Sequence, residues 1–286
     1  MELFLTPFLS LSDRSSATLE ILALTRKPDS AKAKLLASKL NITVIQGQPS
    51  DAAAVFAKTG RVDSIFLVSV PRPFRSGAEE EQAIPSIDMG IAHGVKHIVY
   101  TSIDRGGPVA SEFAPTGVRN FAAKYRIEKY LKDKASKSGV SWTILRPVAF
   151  MEMISPGLMG RIWTTVLAGV ETSKPLQMVS LRDVGYFGAA ALLEPDRYSG
   201  QAIGIAGDEL SLNQARKVFH ETFGYKLPET YGFVRRLLRF MFQDVLEMTD
   251  WVARVGYKVD IPTLKATYHD LRDFSTYLHE DSGFAN

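Results

Sequence analysis

Short apolar runs alternate, along the first half of the chain, with longer stretches in which apolar residues recur every three or four positions. Leu19 to Leu24, Ile42 to Ile45, Asp63 to Val70, Val95 to Ser102 and Ser141 to Leu145 are short segments rich in β-branched, leucine or aromatic side chains. Such runs between turn residues mark strands. Helices fall between them. Pro28-Asp29-Ser30 opens one that reaches Leu40, and Pro49-Ser50-Asp51 opens a shorter one ending near Gly60. Glu79 to His93 places Ile84, Ile87 and Ile91 on one face, with a start or kink expected at Pro85. A proline inside a helix costs about 3 kcal/mol. Another helix runs from Gly117 to Ser138. Strands that alternate with helices imply right-handed βαβ units and a parallel sheet. The fold class is therefore α/β, with a doubly wound parallel sheet.

The pattern changes after Arg146-Pro147. Leu176 to Val179 and Ala202 to Ala206 are short strand-like runs around a helix near Val184 to Leu193, and from Ser211 onward the chain is mostly helical. The expected organisation is a nucleotide-binding domain over residues 1–150 and a smaller, mostly helical cap over 151–286. Residues 176–206 are expected to return to the first domain.

Composition narrows the function. The chain has 286 residues, 45% hydrophobic and 23% charged, with a net charge of +3. Such a near-neutral balance gives no field suited to nucleic acid or an anionic membrane. There are no cysteines, which excludes disulfides, thiolate metal sites and a cysteine nucleophile. No apolar stretch approaches the about 18 residues of a membrane span. Met1 to Leu11 superficially resembles a secretory core, but Glu2 replaces the positive flank and Pro7 interrupts the run. A cytoplasmic protein is expected, with the nucleus as the second choice.

Three positions could carry chemistry. Open α/β sheets bind ligands at the carboxyl ends of their strands, and Thr101-Ser102 closes the strand from Val95. Ser102 thus belongs to an active site or to the floor of a cofactor crevice. Arg26 directly follows the first confident strand. In dinucleotide folds that region reads the adenosine ribose, and an arginine there can hold a 2′-phosphate, so Arg26 points to NADP over NAD. Lys124 shares a helical face with Ile127 and Leu131, which turns it inward; the blander alternative is a surface lysine paired with Glu128. Asn120 stands four residues before it, so the Y-x-x-x-K arrangement, in which a phenol moves the proton and the lysine holds the ribose, is absent. Tyr100 is assigned to the strand core and Tyr125 points away, so neither serves as the acid.

Other features carry less. His93 and His97 are split by Gly94 and share no helix face, so no metal site is expected. Ser102 lacks a G-x-S-x-G setting. Arg235, Arg236 and Arg239 among Leu237, Leu238, Phe240 and Phe242 read as a core helix with a solvated face, in preference to a membrane or partner helix. No glycine precedes Gly47. Met1 to Glu20 is too short for the strand, glycine-rich turn and full helix that open a dinucleotide fold. Leu3 to Asp13 reads as the end of that helix. The expectation is a truncated gene model or isoform, with unpaired edges on the strands beside the lost one and weak dinucleotide binding by this polypeptide alone.

Six blocks in this order resemble the NmrA-like family, within the atypical short-chain dehydrogenases. They are A-L-T-R-K-P at 23–28, G-V-K-H-I-V-Y-T-S-I-D-R-G-G at 94–107, K-Y-R-I-E-K-Y-L at 124–131, W-T-I-L-R-P-V-A-F-M-E at 142–152, K-P-L-Q-M-V-S-L-R-D-V-G at 174–185 and A-I-G-I-A-G-D-E-L at 202–210. The resemblance implies an NAD(P)-binding Rossmann domain with a smaller C-terminal domain. The family includes a fungal regulator of nitrogen metabolism, redox-sensing NADP-binding proteins and, in related branches, reductases. On its pattern Arg26 matches the 2′-phosphate reader and Lys124 the ribose-binding lysine, while Pro147 and Val148 pack near the nicotinamide. Two departures stand out: the glycine motif is absent, and Gln48 stands where the family usually has Asp near the adenine. The implied function is a redox-sensing or regulatory NADP binder with a protein partner. The alternatives are an NADPH-dependent reductase, with Lys124 acting as general acid directly or through water, and a non-binding remnant acting through protein contacts.

Overall fold

Apolar strand runs and amphipathic helices assemble as the alternation dictates in the computed structural model. The structure describes residues 20–72, 75–114, 116–168, 175–230 and 243–284. Met1 to Leu19, including the segment Leu3 to Asp13, and the cluster from Arg235 to Phe242 lie outside the described residues.

The chain divides into two compact units. The first comprises residues 1–102, 123–145 and 185–202; the second comprises 103–122, 146–184 and 203–286. In the first unit, β1 (Ile21–Thr25) pairs in parallel with β2 (Ile42–Gln46), Thr25 opposite Gln46. Between them lies α1 (Ala31–Ala37), where Ser30 Oγ accepts from Ala33 N at 3.3 Å. This is the expected N-cap. After β2, Asp51 caps the short helix α2 (Ala52–Phe56).

The second sheet has the order β3-β4-β5-β8, formed by β3 (Ser64–Val68), β4 (His97–Thr101), β5 (Ser141–Pro147) and β8 (Gln201–Ile205). β3, β4 and β5 are parallel, with Tyr100 between Leu67 and Ile144. Among the described residues, β1 and β3 are joined by no ladder. The contrast in burial follows: β4, paired on both sides, is buried at every position, whereas β1 is only half-buried along its length.

Helices α3 (Glu80–Ala92) and α5 (Arg119–Ser138) belong to the core around β4, in which Ile87, Ile98, Tyr100, Ile127, Leu131 and Ile144 are fully buried. Each such side chain contributes roughly 1.5–3 kcal/mol. Pro85 lies inside α3 rather than at its start. It forfeits one ladder bond early in the helix, and burial of Ala83 and Ile87 on either side offsets that loss.

The second unit holds α4 (Pro108–Phe113), β6 (Ala149–Phe150), α6 (Leu158–Leu167), β7 (Pro175–Val179) and β9 (Asp208–Ser211). β7 pairs in parallel with β6 and antiparallel with β9. Three helices follow in its core: α9 (Leu212–Phe223), opened by a Ser211–Gln214 capping box, α10 (Gln243–Arg254) and α12 (Phe274–Glu280), with α11 (Ile261–Thr267) between the last two. Of the mostly helical stretch expected from Ser211 onward, residues 231–242 lie outside the described residues. The remaining helices of the first unit, in chain order, are α7 (Leu181–Leu193), which starts in the second unit, and α8 (Pro195–Tyr198). Phe219, Phe274, Tyr277 and Leu278 pack with Met151 and Ile154. Asp104 ties two loops of this unit together: its carboxylate accepts from the backbone N–H of Gly106, Gly107 and Lys258 at 3.0–3.1 Å. Gly107 has φ +93°, and a Cβ there would lie 3.2 Å from the Lys258 carbonyl, so glycine is required on both counts.

Candidate functional site

Lys124, Ile127, Glu128 and Leu131 recur at helical spacing on α5 and turn toward the strands. The Lys124 side chain is only 13% exposed, and its Nζ reaches the ends of β3 and β4. It lies 3.1 Å from Glu79 Oε1, 3.3 Å from the Ser69 carbonyl, 3.4 Å from Ser69 Oγ and 3.4 Å from the Thr101 carbonyl. Ser69 Oγ donates to Glu79 Oε1 at 3.2 Å and lies 3.0 Å from the Tyr100 hydroxyl. The ammonium also stands 5.6 Å from the centre of the Tyr100 ring. Glu79 is 2% exposed, Ser69 3% and Tyr100 0%. The inward orientation of Lys124 holds, and its ion pair is made with Glu79 rather than Glu128.

Glu128 serves Ser102 instead. The Ser102 hydroxyl donates to the Glu128 carboxylate, and the Ser102 N–H donates to the Leu145 carbonyl at 2.7 Å. Both side chains are buried. Ser102 therefore has its hydroxyl committed within the fold. Pro147 and Val148 are buried in the second unit, where the Pro147 carbonyl accepts from Asp104 N at 3.0 Å and Val148 N donates to the Ile205 carbonyl at 3.2 Å.

Arg26 stands at a different strand end. β1 and β2 finish together, and Gly47 N donates to the Thr25 carbonyl at 3.0 Å, which sets Arg26 beside Gly47. A cleft of about 250 Å³ opens there, lined by Arg26, Gly47, Gln48, Asp51, Val55 and Lys58 among others. A Cβ on Gly47 would fall 2.6 Å from Val55 Cγ2 and 3.1 Å from Leu24 Cδ1, so only glycine lets the strand end approach α2 this closely. Lys58 Nζ donates to the Gln46 carbonyl at 3.0 Å, bringing a second cation to the same strand end. Neither Arg26 nor Lys58 has a carboxylate partner among the described residues. The Gln48 amide can donate as well as accept.

Ser69, Glu79 and Lys58 carried no motif. Ser69 had the signal of a small polar residue immediately after an apolar strand run, as Ser102 did. Glu79 and Lys58 had none, because each is brought to its strand end by a separate helix. Among the described residues, no group of three or more His, Asp or Glu side chains could hold a metal ion, and no helix is long and apolar enough to cross a membrane.

A sequence profile of the NmrA-like family matches residues 11–278. The chain belongs to the NmrA-like family. A curated relative, the (4-alkanoyl-5-oxo-2,5-dihydrofuran-3-yl)methyl phosphate reductase of Streptomyces griseus subsp. griseus, is 28% identical over 187 residues. The match takes in 65% of this chain and spans 59% of that relative's length. Among solved structures, the NADPH-dependent quinone oxidoreductase QOR2 of Escherichia coli, complexed with NADPH, superposes with a TM-score of 0.70 at 20% identity, covering 96% of this chain and 95% of that one. NmrA, a negative transcriptional regulator, gives 0.65 at 14% identity, covering 98% and 92%. At these identities the structural likeness is one of fold, and it places the NmrA-like chain among Rossmann-type α/β proteins.

Proposed function

We propose that this NmrA-like chain is an NADP-preferring dinucleotide binder that reports cofactor state to a regulatory protein partner. The observation that carries the reading is Arg26, which lines a cleft at the carboxyl ends of β1 and β2 and forms no ion pair among the described residues. A 2′-phosphate supplies the missing charge, and a ribose hydroxyl does not. Lys124, at the carboxyl ends of β3 and β4, is the second holding group, assigned to the nicotinamide ribose. Ser102 forms the floor, and Pro147 and Val148 are assigned to the nicotinamide side. NADPH, when bound, supplies a hydride. The chain's own residues favour holding the cofactor over completing a reduction. Tyr100, the phenol at Lys124, is fully buried with its hydroxyl bonded to Ser69, and Lys124 itself is held by Glu79.

Titration calorimetry with the full chain tests this reading. NADP is expected to bind at least about tenfold tighter than NAD, the scale of one charge-assisted hydrogen bond, and Arg26→Ala is expected to erase the difference. Equal affinity for the two cofactors removes the assignment. A second reading, an NADPH-dependent reductase, draws support from the reductase among the relatives. It requires NADPH oxidation with a quinone, enone or other carbonyl compound, lost in Lys124→Ala, where the Lys124 ammonium would deliver the proton.

A further inference from the structure

We propose that Lys58 is a second anion-reading cation, which with Arg26 clamps a phosphomonoester on the ribose 2′ position of an adenine nucleotide. This deepens the dinucleotide-binding reading and rests on it. Three observations converge on Lys58. Its ammonium is anchored 3.0 Å from the Gln46 carbonyl, and Gln46 is the register partner of Thr25, the residue immediately before Arg26. Both cations line the same cleft. Neither forms a salt bridge among the described residues, although exposed basic groups elsewhere in the unit do, as in Arg61–Asp63 and Lys134–Asp88. Asp51, the acid in the cleft, is within salt-bridge distance of neither cation. It accepts instead from Ala54 N at 3.4 Å as the cap of α2.

Two like charges gathered at one strand end repel each other, and among the described residues neither is held in an ion pair; the one acid lining the cleft, Asp51, caps α2 instead. A phosphomonoester carries close to two negative charges near neutral pH, so it matches the pair, whereas Arg26 alone would balance only half of it. The chemistry of the two groups is complementary. The guanidinium offers a planar fork to two phosphate oxygens, and the ammonium offers a compact charge with rotatable donors to the third. The five-residue helix α2, followed by its cap residue Ala57 and then Lys58, gives the lysine its place, and Gly47 lets that helix approach the end of β2.

The fragment pair adenosine 2′,5′-bisphosphate and 5′-AMP isolates the 2′-phosphate from the rest of the dinucleotide. By calorimetry with the full chain at low salt, the bisphosphate is expected to bind at least about tenfold tighter than AMP. Lys58→Ala is expected to reduce that ratio by about tenfold, a charge-assisted hydrogen bond's worth, with AMP affinity unchanged. Lys58→Arg is expected to retain most of the preference. A preference lost in Arg26→Ala but intact in Lys58→Ala overturns the role of Lys58 while leaving the dinucleotide reading standing. Equal weakening of both fragments by Lys58→Ala marks a merely structural lysine and overturns it too. No binding of either fragment, or of NADP, by the unaltered chain overturns both.

Discussion

The cleft at Arg26 and the cluster at Lys124 both lie at carboxyl ends of strands in one unit, yet they handle charge in opposite ways. In the cleft two exposed cations form no ion pair among the described residues. In the cluster one ammonium is enclosed by a carboxylate, a hydroxyl and two backbone carbonyls. The first arrangement is incomplete until something anionic arrives. The second is complete as it stands. A buried ion pair is held at a desolvation cost, and its attraction repays that cost only when further hydrogen bonds satisfy the remaining atoms. Ser69 and Thr101 do this for Lys124. On the proposed reading, recognition of the 2′-phosphate falls to the first strand end, while at the second Lys124 combines a cofactor-holding role with an ion pair already complete in the fold.

That division gives a graded set of expectations. The largest effect belongs to Glu79→Ala, which leaves the Lys124 ammonium buried without its counter-ion and should cost about 3–5 kcal/mol in urea unfolding. Replacing both residues together, Glu79→Leu with Lys124→Met, should recover most of that loss. A small effect of Glu79→Ala alone would mean that the cluster is open to water, and the contrast with the cleft would fail.

The next effect is a pH response from the other end of β4. His97 is 1% exposed, with Nδ1 2.6 Å from Ser141 Oγ and Nε2 3.1 Å from Thr143 Oγ1. Burial lowers its pKa below the ordinary 6.5, against the pull of Asp196. The unfolded chain therefore takes up the proton first, and stability present above about pH 6.5 is lost as pH falls through that value. Melting temperatures followed from pH 7.5 to 5.5 should decline, and the His97 part of the decline should vanish in His97→Gln. Asp183, in the second unit, acts in the opposite sense. Burial pushes it up to about 6 despite Arg272, so its contribution falls as pH rises from about 4 to about 6. Asp183→Asn should remove that component.

Smaller still, Tyr100→Phe removes one hydroxyl from Ser69, which keeps its bond to Glu79. The expected loss is about 1 kcal/mol, read from the same unfolding curves. The smallest change should come from Arg26→Ala in the unliganded chain, within about 0.5 kcal/mol, although the same substitution should abolish the preference for NADP. A clear loss of stability there would show that Arg26 is part of the fold rather than a waiting ligand.

The strand–helix alternation was legible because periodicity is local: each of the five apolar runs expected in the first half became a strand of a parallel pair. Arg26 and Lys124 were legible as positions, one just after a strand and the other on the inward face of a helix. β6 and β9 were not foreseen. They are short, and β9 is largely polar, so their pairing with β7 defines them more than their composition does. The partner of Lys124 was not legible for a related reason, and the alternative of a surface lysine paired with Glu128 does not hold. Glu128, at i+4, is the neighbour a helix supplies locally, but Ser102 takes it, and Glu79 arrives from the start of α3.

By itself, then, the sequence determined the five strands of the first half and the helices between them, that these strands pair in parallel, and that Arg26 and Lys124 belong near strand ends. These follow from side-chain period and turn residues within a few positions of each other. Only the tertiary structure decided what those cations meet. It brought Glu79 and Ser69 to Lys124, gave Glu128 to Ser102, and set Lys58 in the cleft that Arg26 lines. Each of these contacts joins separate elements across the sheet, and no local rule of spacing encodes which side chains a parallel sheet will gather at its carboxyl edge.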